Sequence, residues 1–124
     1  MAEYLFADIG LSFKLAFEIE LMNKIFHSVE PMFEQAKEGS YDLVEIFGGR
    51  KEKEELMVVL MLKDGSSFLV NGCKFEKTGD GAKIFPLQPS LFETEKFWAR
   101  AVLLKNDEIA FAVIPEGLMK ACNG

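Results

Sequence analysis

Between Gly39 and Pro115 the chain is a succession of short apolar runs, each closed by a turn-forming pair, and this punctuation leaves little room for anything but strands. Tyr41–Phe47 is a strand ended by Gly48-Gly49, and the unbroken run Leu56–Leu62 suits a central strand buried on both faces. Asp64-Gly65 follows; both residues tolerate the positive φ of a type I′ turn, so the pair predicts a hairpin. Its return strand, Phe68 to about Lys77, contains Gly72, a signal for a bulge or bend. Thr78-Gly79-Asp80-Gly81 makes the next turn, Ala82–Phe85 a short strand, and Pro86 and Pro89 bound an irregular connection through about Thr94. Phe97–Leu104 and Ile109–Ile114 form a last hairpin around Asn106-Asp107.

The first forty residues carry two overlapping periods. Phe13, Leu15, Phe17, Ile19 and Leu21 alternate with more polar or smaller residues as in a half-buried strand, whereas Leu15, Ile19, Met22, Phe26, Val29, Phe33 and Ala36 recur at helical spacing. The alternation is the stricter pattern and is rich in Phe and Ile. We therefore expect a strand through about Glu20 and a helix over Met22–Lys37, kinked at Pro31 or restarted with Ser28 as its cap, and stopped by Gly39. The expected fold is a single α+β domain over residues 1–124: a strongly bent antiparallel sheet or small β-barrel of six to seven strands with one helix in the N-terminal half. VVLMLKDGSSFLVNG (Val58–Gly72) followed by VLLKNDEIAFAVIP (Val102–Pro115) resembles the cadence of small Sm-like barrels. Leu104-Lys105-Asn106 departs from the Gly-containing closing turn of that family, so the family is not assigned.

A net charge of −6, with Arg50 and Arg100 the only arginines, argues against nucleic-acid binding. The one dense basic run, Arg50, Lys51 and Lys53, is interleaved with Glu52, Glu54 and Glu55. The N-terminal apolar stretch is broken by Lys14, Glu18, Glu20 and Lys24, which fits neither a signal peptide nor a membrane span. Cys73 and Cys122 are isolated, so reduced thiols in a cytoplasmic protein are the expectation, with a disulfide left open.

Chemistry is sparse. His27 is the only histidine, placed on the expected helix beside Glu30 and Glu34. Gly48-Gly49-Arg50-Lys51 lacks the spacing of a phosphate loop, and Glu54-Glu55 and Glu93 with Glu95 read as surface carboxylates. No catalytic residue, cofactor or metal site is expected. Arg100 stands out because it interrupts the apolar run Phe97–Leu104. Strand alternation puts it on the face of Trp98, where a guanidinium beside an indole would anchor an anion; pairing with a carboxylate such as Glu116 is the commoner arrangement.

A two-residue turn at Asn106-Asp107 sets the last hairpin's register, opposing Lys105 to Glu108, Leu104 to Ile109, Val102 to Phe111 and Arg100 to Val113. One face then collects large residues for the core, the other Ala99, Ala101, Leu103, Ala110, Ala112 and Ile114. The alanine face invites close approach of another backbone, either the helix Met22–Lys37 or a second subunit, which makes Ala99, Ala101, Ala110 and Ala112 candidate interface residues. The function expected is a non-catalytic interaction or assembly module, with a homo-oligomer or protein partner. The alternatives are a small anionic-ligand-binding domain or carboxylate-dependent enzyme using Arg100 and Trp98, and an acidic protein that engages a basic partner.

Overall fold

The computed structural model describes residues 3–77, 82–87 and 98–123. The chain is α+β, with ten strands in two sheets among these residues rather than six or seven in one. β1 (Glu3–Asp8) and β2 (Phe13–Glu18) form the first hairpin, its turn held by Asp8 Oδ1 accepting from the Gly10 N–H at 2.8 Å. Around them a six-stranded sheet has the order β7-β1-β2-β10-β9-β8, with β7 at Gly72–Lys77, β8 at Lys83–Pro86, β9 at Ala99–Lys105 and β10 at Glu108–Val113. The second sheet has the order β3-β5-β6-β4, with β3 at Met22–His27, β4 at Tyr41–Asp42, β5 at Val58–Leu62 and β6 at Ser67–Val70. Both sheets are mixed, because β2 runs parallel to β10 and β4 parallel to β6.

The expected helix over Met22–Lys37 is half strand. After β2 a 3-10 turn at Ile19–Leu21 redirects the chain into β3, which sets Ile25 opposite Leu60 and Phe26 opposite Val59. The apolar run of β5 needs a strand on each side to satisfy its backbone, and β3 supplies one of them. The helix begins only after Pro31, as α1 (Phe33–Glu38), with Met32 rather than Ser28 in the cap position. Tyr41–Phe47 likewise splits: Tyr41 and Asp42 form β4, and Asp42 then caps α2 (Leu43–Phe47) by accepting from the Glu45 N–H at 3.0 Å. A third helix, α3 (Pro115–Asn123), packs Leu118 into the core.

The turn after β5 is not type I′. Only Gly65 has positive φ (92°), and Leu62 and Ser66 flank a three-residue loop, which suits a type I turn closed by a left-handed glycine. The expected strand Phe68–Lys77 is two strands in different sheets, β6 and β7, divided at Asn71. The halves of the Sm-like cadence, Val58–Gly72 and Val102–Pro115, therefore lie mainly in different sheets. The expected turn at Thr78–Gly81 and the connection through Thr94 fall outside or largely outside the described residues.

The last hairpin has its expected register near the turn, with Asn106 and Asp107 both at positive φ. Further out a bulge intervenes. Ala101 opposes Ala112 but Ala99 opposes Val113, so Arg100 is the extra residue and does not oppose Val113.

The main core lies between the sheets and includes Leu15, Phe17, Phe33, Leu60 and Phe68. A second cluster, Tyr4, Phe6, Ala16, Ala101, Leu103, Ala110 and Ala112, fills the opposite face of the six-stranded sheet. That face is concave. Lys74 on β7 reaches Glu108 on β10 at 2.6 Å, and Lys105 on β9 reaches Glu76 on β7 at 3.0 Å. In a flat sheet β7 and β10 would stand about 14 Å apart, three strand spacings, so these contacts require the sheet to curl. Alanines on its inner face leave room for that curl.

Candidate functional site

Arg100 and Trp98, expected to share an anion site, are held apart. Arg100 donates to the Tyr4 hydroxyl at 3.1 Å and forms an ion pair with Glu18, the residue opposite Tyr4 on β2. Tyr4 belongs to the concave-face cluster, whereas Trp98 packs against the main core, edge-on to Phe47 and Phe111 at ring distances of 5.1 and 5.7 Å. The bulge explains the separation: one added residue breaks the alternation that would put Arg100 beside Trp98. Arg100 has the carboxylate partner that its ordinary role requires, and that partner is Glu18 rather than Glu116.

Ala99, Ala101, Ala110 and Ala112 are all buried within the chain itself. The concave-face cluster sets Ala101, Ala110 and Ala112 with Tyr4 and Phe6 of β1 and Ala16 of β2. Within the chain, the close neighbours of the alanine face are therefore these strands and not a helix over Met22–Lys37. Buried residues offer no surface to another chain.

The remaining reactive groups do not converge. His27 is exposed at the end of β3, not on a helix, and Glu30 Oε1 accepts from its backbone N–H at 3.3 Å. Cys73 and Cys122 are free thiols, both pushed above the usual thiol range by burial. Lys51 is hydrogen-bonded to Asp42, which raises its pKa, and also lies near Glu45. Glu93 and Glu95 lie outside the described residues. Among the described residues no three His, Cys, Asp or Glu side chains are grouped to hold a metal ion, and no helix is long and apolar enough to cross a membrane.

Large apolar side chains do reach the surface, most of them in two regions, with Ile46 on α2 and Ile109 on β10 standing apart. At the open edges of the six-stranded sheet, Phe75 on β7 is 70% exposed, and Ile84 and Phe85 on β8 are exposed as well. On the second sheet's side, Val29, Met32 and Leu56 are exposed around the β3–α1 turn and the 3-10 turn Glu54–Leu56. Their burial contributes little to folding, so these positions are candidates for contact with other molecules. Sequence patterning assigned Val29 to a helical stripe; the turn-forming Ser28 and Pro31 on either side were the signal that it stands on a loop.

No protein-family model matches the sequence, and no match is found among curated protein sequences. Among solved structures the chain is similar to the scaffolding protein TtCheW from Thermoanaerobacter tengcongensis, with a TM-score of 0.64 over 92% of this chain and 90% of that one at 12% identity. The two proteins share a fold across nearly their whole lengths, and the chain has a CheW-like fold.

Proposed function

We propose that this chain is a non-catalytic protein-interaction module of the scaffold type. The observation that carries this reading is the end-to-end fold likeness to a scaffolding protein. The placement of the side chains supports it: Arg100 is committed to Glu18 and Tyr4, Trp98 is half-buried against the core, and apolar surface is exposed elsewhere. Free thiols fit a reducing compartment such as the cytoplasm. Self-association is one form the assembly takes in this reading, favoured by exposed Phe75 at one sheet edge and Ile84 and Phe85 at the other.

In-cell crosslinking with mass spectrometry, run beside a thermal-shift screen of anionic metabolites and divalent cations, tests the proposal. A reproducible protein partner without small-molecule stabilisation supports it. Turnover or saturable stabilisation by an anion, abolished by Arg100→Gln, would overturn it in favour of the ligand-binding alternative. A single monomeric mass at all concentrations in light scattering removes self-association.

A further inference from the structure

The β3–α1 turn and the 3-10 turn Glu54–Leu56 are tied together by the Ser28 hydroxyl, which donates to the Glu55 carbonyl at 2.6 Å. Between them lies a hollow of about 330 Å³ lined by Ser28, Val29, Phe33, Glu34, Glu54 and Glu55. Its chemistry is two-sided. Phe33 brings an almost wholly buried ring to the lining and Val29, 90% exposed, an aliphatic side chain, while Met32 and Leu56 extend exposed apolar surface beside them in the chain. Among the described residues the charged part of the lining is anionic, made of the three carboxylates Glu34, Glu54 and Glu55. Lys37 pairs with Glu54 at 2.5 Å, but Glu34 and Glu55 form no ion pair among the described residues.

A valine this exposed does nothing for the fold. A hollow that sets exposed aliphatic surface beside carboxylates complements a segment that presents aliphatic side chains and positive charge together: burial of the aliphatic part excludes water, and the charges select and orient the partner. We propose that this hollow docks a cationic, aliphatic segment of a partner protein, with a Leu-, Ile- or Met-type side chain entering between Val29 and Phe33 and Lys or Arg on Glu34 and Glu55. The proposal rests on the interaction-module reading and names the surface and the partner chemistry for it.

The probes are two short synthetic peptides of one pattern, Lys alternating with Leu in the first and Glu with Leu in the second, titrated into the ¹⁵N-labelled full chain. The expected result is salt-sensitive binding of the Lys/Leu peptide only, with shifts confined to residues 28–34 and 54–56. Affinity should fall on the order of tenfold in the Val29→Ser/Leu56→Ser double variant, whose melting temperature stays at the wild-type value because both side chains are exposed. Shifts spread over other acidic surface, equal binding of the Glu/Leu peptide, or undiminished affinity in the double variant would overturn the assignment. So would concentration-dependent shifts of these residues without peptide, which identify a second copy as the occupant. A crosslinked partner seated elsewhere removes this hollow while the interaction reading stands; absence of any protein partner removes that reading itself.

Discussion

The side-chain Nδ2 of Asn71 donates to the backbone carbonyl of Arg50 at 2.8 Å, while its Oδ1 accepts from the Glu52 N–H at 2.9 Å. Asn71 is buried where the chain passes from one sheet to the other, and its own N–H donates to the Asp8 carbonyl at 2.8 Å. One side chain thus fixes the loop after α2 to the crossover between the sheets. Asn71→Leu leaves a part-buried carbonyl and N–H without partners, and we expect a loss of about 1–3 kcal/mol in urea unfolding. An unchanged midpoint would mean that water or another group satisfies the loop.

Two glycines should respond oppositely to alanine. A Cβ on Gly49 would overlap the Ile9 carbonyl and press on Gly10, because the loop backbone lies directly against the β1–β2 turn. Gly49→Ala should cost about 3 kcal/mol, since backbone on both sides leaves nothing soft to yield. At Gly72 a Cβ meets nothing within 4 Å and φ lies outside the left-handed region. Gly72→Ala should therefore be tolerated, with a gain of about 0.4–1 kcal/mol from a stiffer unfolded chain. Paired thermal melts check both signs.

The acid limb of stability should follow Glu76 and Glu54. A hydrogen bond from Lys105 lowers the Glu76 pKa, and one from Lys37 lowers that of Glu54. A carboxylate depressed in the folded state stabilises fully above its unfolded pKa, about 4.3, and loses that contribution as pH falls through the folded value. Lys37, Lys51 and Lys74 are raised by hydrogen bonds to Glu54, Asp42 and Glu108, so their contributions persist through neutrality and fade only in strong base. The melting temperature should thus decline below about pH 4.5. Glu76→Gln should make that decline shallower, and an unaltered acid limb in this variant removes Glu76 from the account.

The strands and turns with a strong local signature were legible in the sequence, and the elements set by their partners were not. Asn106-Asp107 announced its turn because few other pairs accept positive φ twice, and Val58–Leu62 announced a buried strand by its unbroken apolar run. Met22–His27 was misread because three- and four-residue spacings also arise when a strand, a turn and a helix follow one another, and only pairing with β5 decides between them. Asp42-Leu43-Val44-Glu45 has the spacing of a capped helix start and Pro115-Glu116 suits a first helical turn, yet both were hidden by adjoining strand patterns. The candidate site was least visible of all. A bulge leaves no mark in hydrophobic alternation, so the pairing of Arg100 with Trp98 failed, and the hollow beside Val29 depends on two turns distant in sequence.

The alanines of the concave face give the sharpest test of how the six-stranded sheet bends. Ala112 is fully buried, opposes Ala101 across the β9–β10 pair and Ala16 across β2–β10, and lies in the cluster with Tyr4, Phe6 and Leu103. Leucine at Ala112 or Ala101 enters a face already occupied by Tyr4, Phe6 and Leu103. It must push the inner face open, at an expected cost of about 1–3 kcal/mol. Opening the face also draws β7 away from β9 and β10, so the Lys74–Glu108 and Lys105–Glu76 pairs should loosen. In the Ala112→Leu background, Glu108→Gln should accordingly change stability less than it does in the wild type, a coupling that a double-mutant cycle reads directly. Ile109→Ala, at a half-exposed neighbouring position, serves as the control and should shift stability far less. Light scattering should show the same assembly state for every variant, because these alanines are buried within their own chain. Retention of wild-type stability in Ala112→Leu would mean that the concave face holds space for larger side chains, and that small residues are not what permits the curl.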